Sequence, residues 1–169
     1  MKLEKNVVLF GFMGTGKTNV ARELGGRLGR PVIEMDDVIE EREGIAISRV
    51  FAEKGEDYFR CCERGLVQEL ARVGGRIIAA GGGVALNPDN IEDFRRTGIL
   101  VCLNARPEVI LRRVKSETHR PLLESGNRLT KIEKLLKARR RYYDLIEHQI
   151  DTSDLTIDDV VEKILSIIM

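Results

Sequence analysis

The segment Gly11-Phe12-Met13-Gly14-Thr15-Gly16-Lys17-Thr18 constrains this chain more than any other. It fits G-x-x-x-x-G-K-[ST], a loop whose glycines let the backbone turn tightly and aim its N–H groups at phosphate, where the positive end of the next helix adds to the attraction. The pattern is informative only between a strand and a helix, and both flanks are present. Val7-Val8-Leu9-Phe10 is a short apolar run of the kind buried on both faces of a parallel sheet, here expected as the central strand. Val20, Ala21, Leu24 and Leu28 then recur at helical spacing until Gly29, with Pro31 beyond. A shuffled chain of this composition would carry the motif about once in 200 even without those flanks. Lys17 would reach the β and γ phosphates as a point charge, and the Thr18 hydroxyl would ligate a Mg²⁺ bridging them. A nucleoside triphosphate with Mg²⁺ is the implied ligand. The loop alone does not separate a kinase from a GTPase, a helicase or an ABC ATPase.

Further apolar runs at Val32-Ile33, Ile77-Ile78-Ala79-Ala80 and Ile99-Leu100-Val101-Cys102-Leu103 each precede a segment with helical signals, which predicts an α/β fold with a parallel sheet. Asn87-Pro88-Asp89 predicts a helix from Pro88, and Thr156 with Asp159 a capping box opening a last helix that buries Val160, Val161, Ile164, Leu165 and Ile168. Residues 112 to 128, with Arg112, Arg113, Lys115, His119, Arg120 and Arg128, show little apolar periodicity before a helix near Leu129, and predict a mobile basic loop. At 169 residues, without a linker or a second core, one domain over 1–169 is expected.

Lys and Arg number 28 against 27 Asp and Glu, so no field covers the whole surface, and any anion site must be local. Arg139-Arg140-Arg141 lacks aromatic interleaving, which argues against a nucleic-acid partner. No apolar run reaches the ~20 residues of a membrane span, and no export signal is legible. Cys61, Cys62 and Cys102, with only His119 and His148, fit neither a disulfide framework nor a zinc site, and point to a reduced cytoplasmic protein without structural metal. Adjacent Cys61 and Cys62 read as helix packing residues, His119 as an exposed residue, and His148 as preceding a short strand.

Four features bear on what accepts the phosphoryl group: Asp36 after the second strand, Arg60, the triplet Gly81-Gly82-Gly83 after the third strand, and Arg139 before Tyr143. Singly each has a plain alternative, since an arginine is usually a solvated helix residue and three glycines can be a turn. In an open parallel sheet, however, ligands bind beyond the carboxyl ends of the strands, where the phosphate loop, Asp36 and the glycines all fall.

With these residues the chain resembles the shikimate kinases, small P-loop kinases, over nearly its whole length. The resemblance runs from Phe10 to Asp151-Thr152. It takes in Asp36, Ile39-Glu40-Glu41-Arg42-Glu43-Gly44, Phe51, Gly55-Glu56, Phe59-Arg60, Glu63, Gly81-Gly82-Gly83-Val84, Arg120-Pro121-Leu122-Leu123, and Arg139 four residues before Tyr143. It implies a three-layer P-loop kinase fold with a central parallel five-stranded sheet flanked by helices, a lid loop at about 112–126, and a substrate-binding helical insertion at about 35–62. The implied activity is transfer of the ATP γ-phosphate to the 3-hydroxyl of shikimate, with Mg²⁺, in aromatic amino-acid biosynthesis, by a cytoplasmic monomer.

By the same resemblance Asp36 would orient the attacking hydroxyl and is the candidate to deprotonate it. Arg60 and Arg139 would clamp the substrate carboxylate, a task suited to paired guanidinium N–H groups. Gly81, Gly82 and Gly83 would let the main chain approach the substrate. Arg120 would swing from the lid, open or disordered without ligand, onto the transferring group, and Arg113 would pack on adenine. The implied catalytic set is Asp36, Lys17 and Arg120, and the ATP set is Gly14, Thr15, Gly16, Lys17, Thr18, Arg113 and Arg120. Metal would fall to Thr18 and Glu34, directly or through water.

Two positions depart from the family pattern. Glu34-Met35-Asp36 stands where Asp-x-Asp is usual, and Ala79 where a hydroxyl is common, so altered or weaker metal dependence is expected. The alternatives are a P-loop kinase for another small hydroxy acid such as gluconate, or for a nucleoside monophosphate, and a non-catalytic nucleotide-binding homologue.

Overall fold

A computed structural model of the chain describes residues 4–115 and 127–169. Five strands, β1 (Asn6–Gly11), β2 (Val32–Glu34), β3 (Ile77–Ala79), β4 (Gly98–Asn104) and β5 (His148–Asp151), form one sheet in the order β2-β3-β1-β4-β5. Every pairing is parallel, with Val8 opposite Ile78 on one side and Leu100 on the other. The eight described helices are α1 (Lys17–Leu28), α2 (Met35–Glu43), α3 (Ile47–Lys54), α4 (Glu56–Leu70), α5 (Pro88–Thr97), α6 (Pro107–Val114), α7 (Arg128–Tyr143) and α8 (Ile157–Ile168).

The unbroken apolar run of β1 has its cause in the two cores. Side chains alternate across a strand. Val7 and Leu9 therefore join Val20, Ala21 and Leu24 of α1 and Val160, Val161 and Ile164 of α8 on one face. Val8 and Phe10 join Leu66 and Val67 of α4, Phe94 of α5 and Ile110 of α6 on the other, with Phe10 and Phe94 edge to face at 6.0 Å. The result is three layers, with β1 in the middle as its composition requires.

The local signals behave as read. The Asn87 side chain accepts from the Asp89 N–H at the start of α5, and the Thr156/Asp159 capping box opens α8. Some boundaries differ. Arg112 and Arg113 belong to the last turn of α6, because Val109, Ile110 and Val114 give that segment a buried face, so the basic stretch begins as helix. The remainder of the expected lid, including His119 and Arg120, lies outside the described residues. The insertion expected at 35–62 is three helices, the last continuing to Leu70. His148 is the first residue of β5 and does not precede it.

Asn6 is a buried polar residue that the sequence did not single out. Its amide donates to the Val73 carbonyl at 2.8 Å, and its oxygen accepts from the Arg76 N–H at 3.0 Å, tying the start of the central strand to the connection into β3. Buried polar groups that lose their partners are costly. Asn6→Ala is expected to lower stability by about 1–3 kcal/mol, seen as a lower urea midpoint with an unchanged slope.

Candidate active site

Parallel pairing sets the carboxyl ends of all five strands on one edge, and the site residues stand there. The chain leaves β1 at Gly11 and enters α1 through Gly14 (φ 76°) and Gly16 (φ 97°), left-handed conformations that favour glycine. The Thr15 hydroxyl is turned inward, donating to the Phe12 carbonyl at 2.7 Å, so Thr15 has only its main chain to offer a ligand. Lys17 Nζ lies over the loop, donating to the carbonyls of Gly11 (2.7 Å) and Phe12 (2.9 Å).

A cavity of about 580 Å³ opens above this loop, walled by Gly14, Gly16, Lys17, Thr18 and Arg113 together with Thr152, Leu155 and Ile157. Arg113 donates to the carbonyl and hydroxyl of Thr152 and to the Gly14 carbonyl, which anchors the end of β5 to the phosphate loop. Burial lowers the pKa of this guanidinium.

At the two residues expected to hold metal, the Thr18 hydroxyl donates to Glu34 Oε2 at 3.2 Å, while Glu34 Oε1 is buried without a hydrogen-bond partner. Burial raises the Glu34 pKa, against the pull of the Thr18 hydroxyl. A half-satisfied carboxylate beside a P-loop hydroxyl fits a hard divalent cation or its water, so the glutamate in place of the usual aspartate still presents an oxygen there. Ala79 lines the same cavity with no polar atom on its side chain.

A second cavity, of about 220 Å³, lies beside the first and is lined by Asp36, Phe51, Phe59, Arg60, Glu63 and Arg139, among others. The two share Met13, Thr18, Glu34, Asp36 and Gly82 in their walls. Asp36 thus stands where the cavity above the loop meets the smaller one that holds Arg60 and Arg139.

The glycine triplet shapes that junction by leaving room. A Cβ on Gly81 would come within 2.8 Å of Asp36 Oδ1 and 3.0 Å of Glu63 Oε2, and a Cβ on Gly83 would collide with the Arg60 guanidinium. The triplet therefore clears space for the carboxylates and an arginine of the site itself.

The arginines are held differently. Arg60 Nη1 donates to Glu63 at 2.7 Å and Nη2 to Glu56 at 3.1 Å. Arg139 is 4 % exposed; it reaches the Gly82 carbonyl at 3.4 Å, lies over the Phe12 ring, and also interacts with the Tyr143 hydroxyl and the Glu63 carboxyl.

Glu63, quoted above only as part of the resemblance, emerges as a site residue through an i,i+3 pairing with Arg60 that the spacing of opposite charges could have signalled. Burial pushes its pKa up to about 7 against the pull of Arg60, with the Asp36 charge adding to the rise. Met13, Leu155 and Ile157 were missed as walls, and Phe51, Phe59 and Thr152 were quoted only within the resemblance, since apolar residues look like core, and a lone threonine like any other, until the cavity is seen. No described residues form a cluster of three or more His, Cys, Asp or Glu suited to a metal ion.

The family model described as shikimate kinase matches residues 13–169. A curated shikimate kinase of Pelotomaculum thermopropionicum is 46% identical over 161 residues, 95% of this chain and 94% of its own length. Among solved structures, a shikimate kinase from Acinetobacter baumannii in complex with shikimate superposes with a TM-score of 0.93 at 35% identity, covering 98% of this chain and 93% of that one. A gluconokinase from Sinorhizobium meliloti reaches a TM-score of 0.63 at 16% identity over 99% and 93%, a likeness of fold alone.

Glu63 generates a test of its own. A carboxyl whose pKa is raised on folding holds a proton that the unfolded chain has released, so stability falls as pH climbs from the ordinary value of 4.5 to about 7. Glu63→Gln is expected to flatten that slope, measured as thermal midpoint against pH for the two proteins.

Proposed function

The chain belongs to the shikimate kinase family, ATP-dependent kinases acting on an alcohol acceptor, and from that premise we propose how its residues carry the ATP γ-phosphate to the 3-hydroxyl of shikimate. The observation that supports the reading best is the shared wall of the two cavities, with Asp36 between the phosphate loop on one side and Arg60 and Arg139 on the other.

In this reading the main-chain N–H groups of residues 14–18 hold the phosphates, and Lys17 leaves its resting carbonyls for them. Two guanidinium groups select a small carboxylic acid, each charge-assisted contact contributing roughly 1.5–3 kcal/mol. With its carboxylate fixed at that end, the acceptor presents a hydroxyl to Asp36. The hydroxyl oxygen forms the new bond to the γ-phosphorus, the bond from that phosphorus to the ADP oxygen breaks, and the hydroxyl proton passes to the Asp36 carboxylate. In-line positioning and charge stabilisation account for the acceleration, since this reaction asks little covalent chemistry of a protein.

Thr18 and Glu34 would hold Mg²⁺, which when bound supplies positive charge to the β- and γ-phosphate oxygens. The adenine role proposed for Arg113 fits a residue lining the larger cavity, and the lid role proposed for Arg120 falls outside the described residues. No described helix is long and apolar enough to cross a membrane. The proposal includes action as a single-domain cytoplasmic monomer, whose mass in solution light scattering would give.

The experiment is ADP release with Mg²⁺-ATP against shikimate, quinate, gluconate and AMP. Turnover confined to shikimate is expected, and turnover with gluconate or AMP instead would overturn the reading, as would nucleotide binding without any transfer. Asp36→Asn is expected to lower kcat about 10²–10⁴-fold, with a modest change in KM. Arg60→Ala and Arg139→Ala are expected to raise the acceptor KM by about 10- to 150-fold each.

A further inference from the structure

Buried arginines ordinarily face carboxylates, and even the half-buried Arg60 does so with Glu63 and Glu56. Arg139 does not. Among the described residues no carboxylate oxygen lies within ion-pair distance of it, although it is 4 % exposed. Its guanidinium carbon stands 5.4 Å over the ring of Phe12. Its Nη1 reaches the Gly82 carbonyl at 3.4 Å, a long bond, while the same carbonyl accepts a short bond of 2.6 Å from the Tyr143 hydroxyl, one turn further along α7. Phe12 and Tyr143 are themselves buried, and neither lines either cavity.

The electrostatics of this arrangement favour an incoming anion. An aromatic face stabilises a desolvated cation without neutralising it. A carboxylate in the same place would compete with any acidic ligand. The Tyr143 hydroxyl occupies the Gly82 oxygen that Arg139 would otherwise take at close range, so the guanidinium is not drawn back onto the main chain. We propose that Phe12 and Tyr143 are positioning residues for the acceptor, holding Arg139 through an aromatic face and a hydroxyl so that its guanidinium faces the carboxylate of the substrate. This inference rests on the preceding reading that the acceptor is a small carboxylic acid. It divides the clamp into an ion-paired arm, Arg60, and an arm, Arg139, that makes no ion pair among the described residues.

The test is a double-mutant cycle on kcat/KM for shikimate at saturating ATP, with Tyr143→Phe and Phe12→Leu each made alone and with Arg139→Ala. Tyr143→Phe is expected to lower kcat/KM about 2- to 10-fold, and Phe12→Leu about 5- to 20-fold, while Phe12→Tyr, which keeps the aromatic face, recovers most of the loss. In the Arg139→Ala background both losses should shrink below about twofold, because there is no guanidinium left to position. Losses that multiply unchanged on Arg139→Ala would overturn the proposal. So would a Tyr143→Phe protein with a lowered thermal midpoint and unaltered kcat/KM, the signature of a packing role. If Phe12→Leu does not fold, Tyr143→Phe decides alone. A wild-type protein that does not turn over shikimate would refute the reading of the acceptor, a result distinct from an additive cycle in an active enzyme.

Discussion

Burial of β1 on both faces, together with its parallel pairing on both edges, is the constraint from which the site follows. A strand so enclosed cannot slip by one residue without exchanging Val7 and Leu9 for Val8 and Phe10 across two different cores. Its carboxyl end is therefore placed firmly, and so are Glu34, Ala79, Asn104 and Asp151 at the ends of the other strands of the sheet. The phosphate loop, the acidic turn after β2 and the glycine triplet after β3 meet because a parallel sheet turns every strand the same way.

On this edge the two cavities differ in their electrostatics. Around the phosphate loop the positive groups are backbone N–H groups and a lysine that lies against the Gly11 and Phe12 carbonyls. In the smaller space a buried carboxyl, Glu63, stands among Asp36, Arg60 and Arg139, and the cost of that burial shows in its raised pKa. Groups held in such tension are common at sites that bind charge, because the environment that suits the ligand is unfavourable to the empty protein.

The glycine triplet gains a second role when seen in place. A main chain stripped of side chains suggests close approach by a substrate, whereas two of the three glycines make way for Asp36, Glu63 and Arg60. The same residues that shape the cavity thereby limit how its charged side chains can be arranged, and an alanine at Gly83 would act on Arg60 before it acted on any ligand.

Much was legible from local pattern alone: the strand–loop–helix around Lys17, the capping of α5 and α8, the parallel α/β class, and the membership that Asp36, Arg60, the glycines and Arg139 suggested. These depend on spacing and on backbone chemistry within a few residues, which the order of amino acids states directly. What tertiary structure decided was partnership: that Glu63 sits against Arg60 and Asp36, that Asn6 ties down the start of β1, that Thr152 is bound by Arg113, that the basic stretch begins as the end of α6, and that Arg139 rests on Phe12, 127 positions earlier by number (139 − 12). Such contacts join residues far apart in the chain, and their strength depends on desolvation and distance, quantities that exist only once the sheet has brought the ends of its strands together.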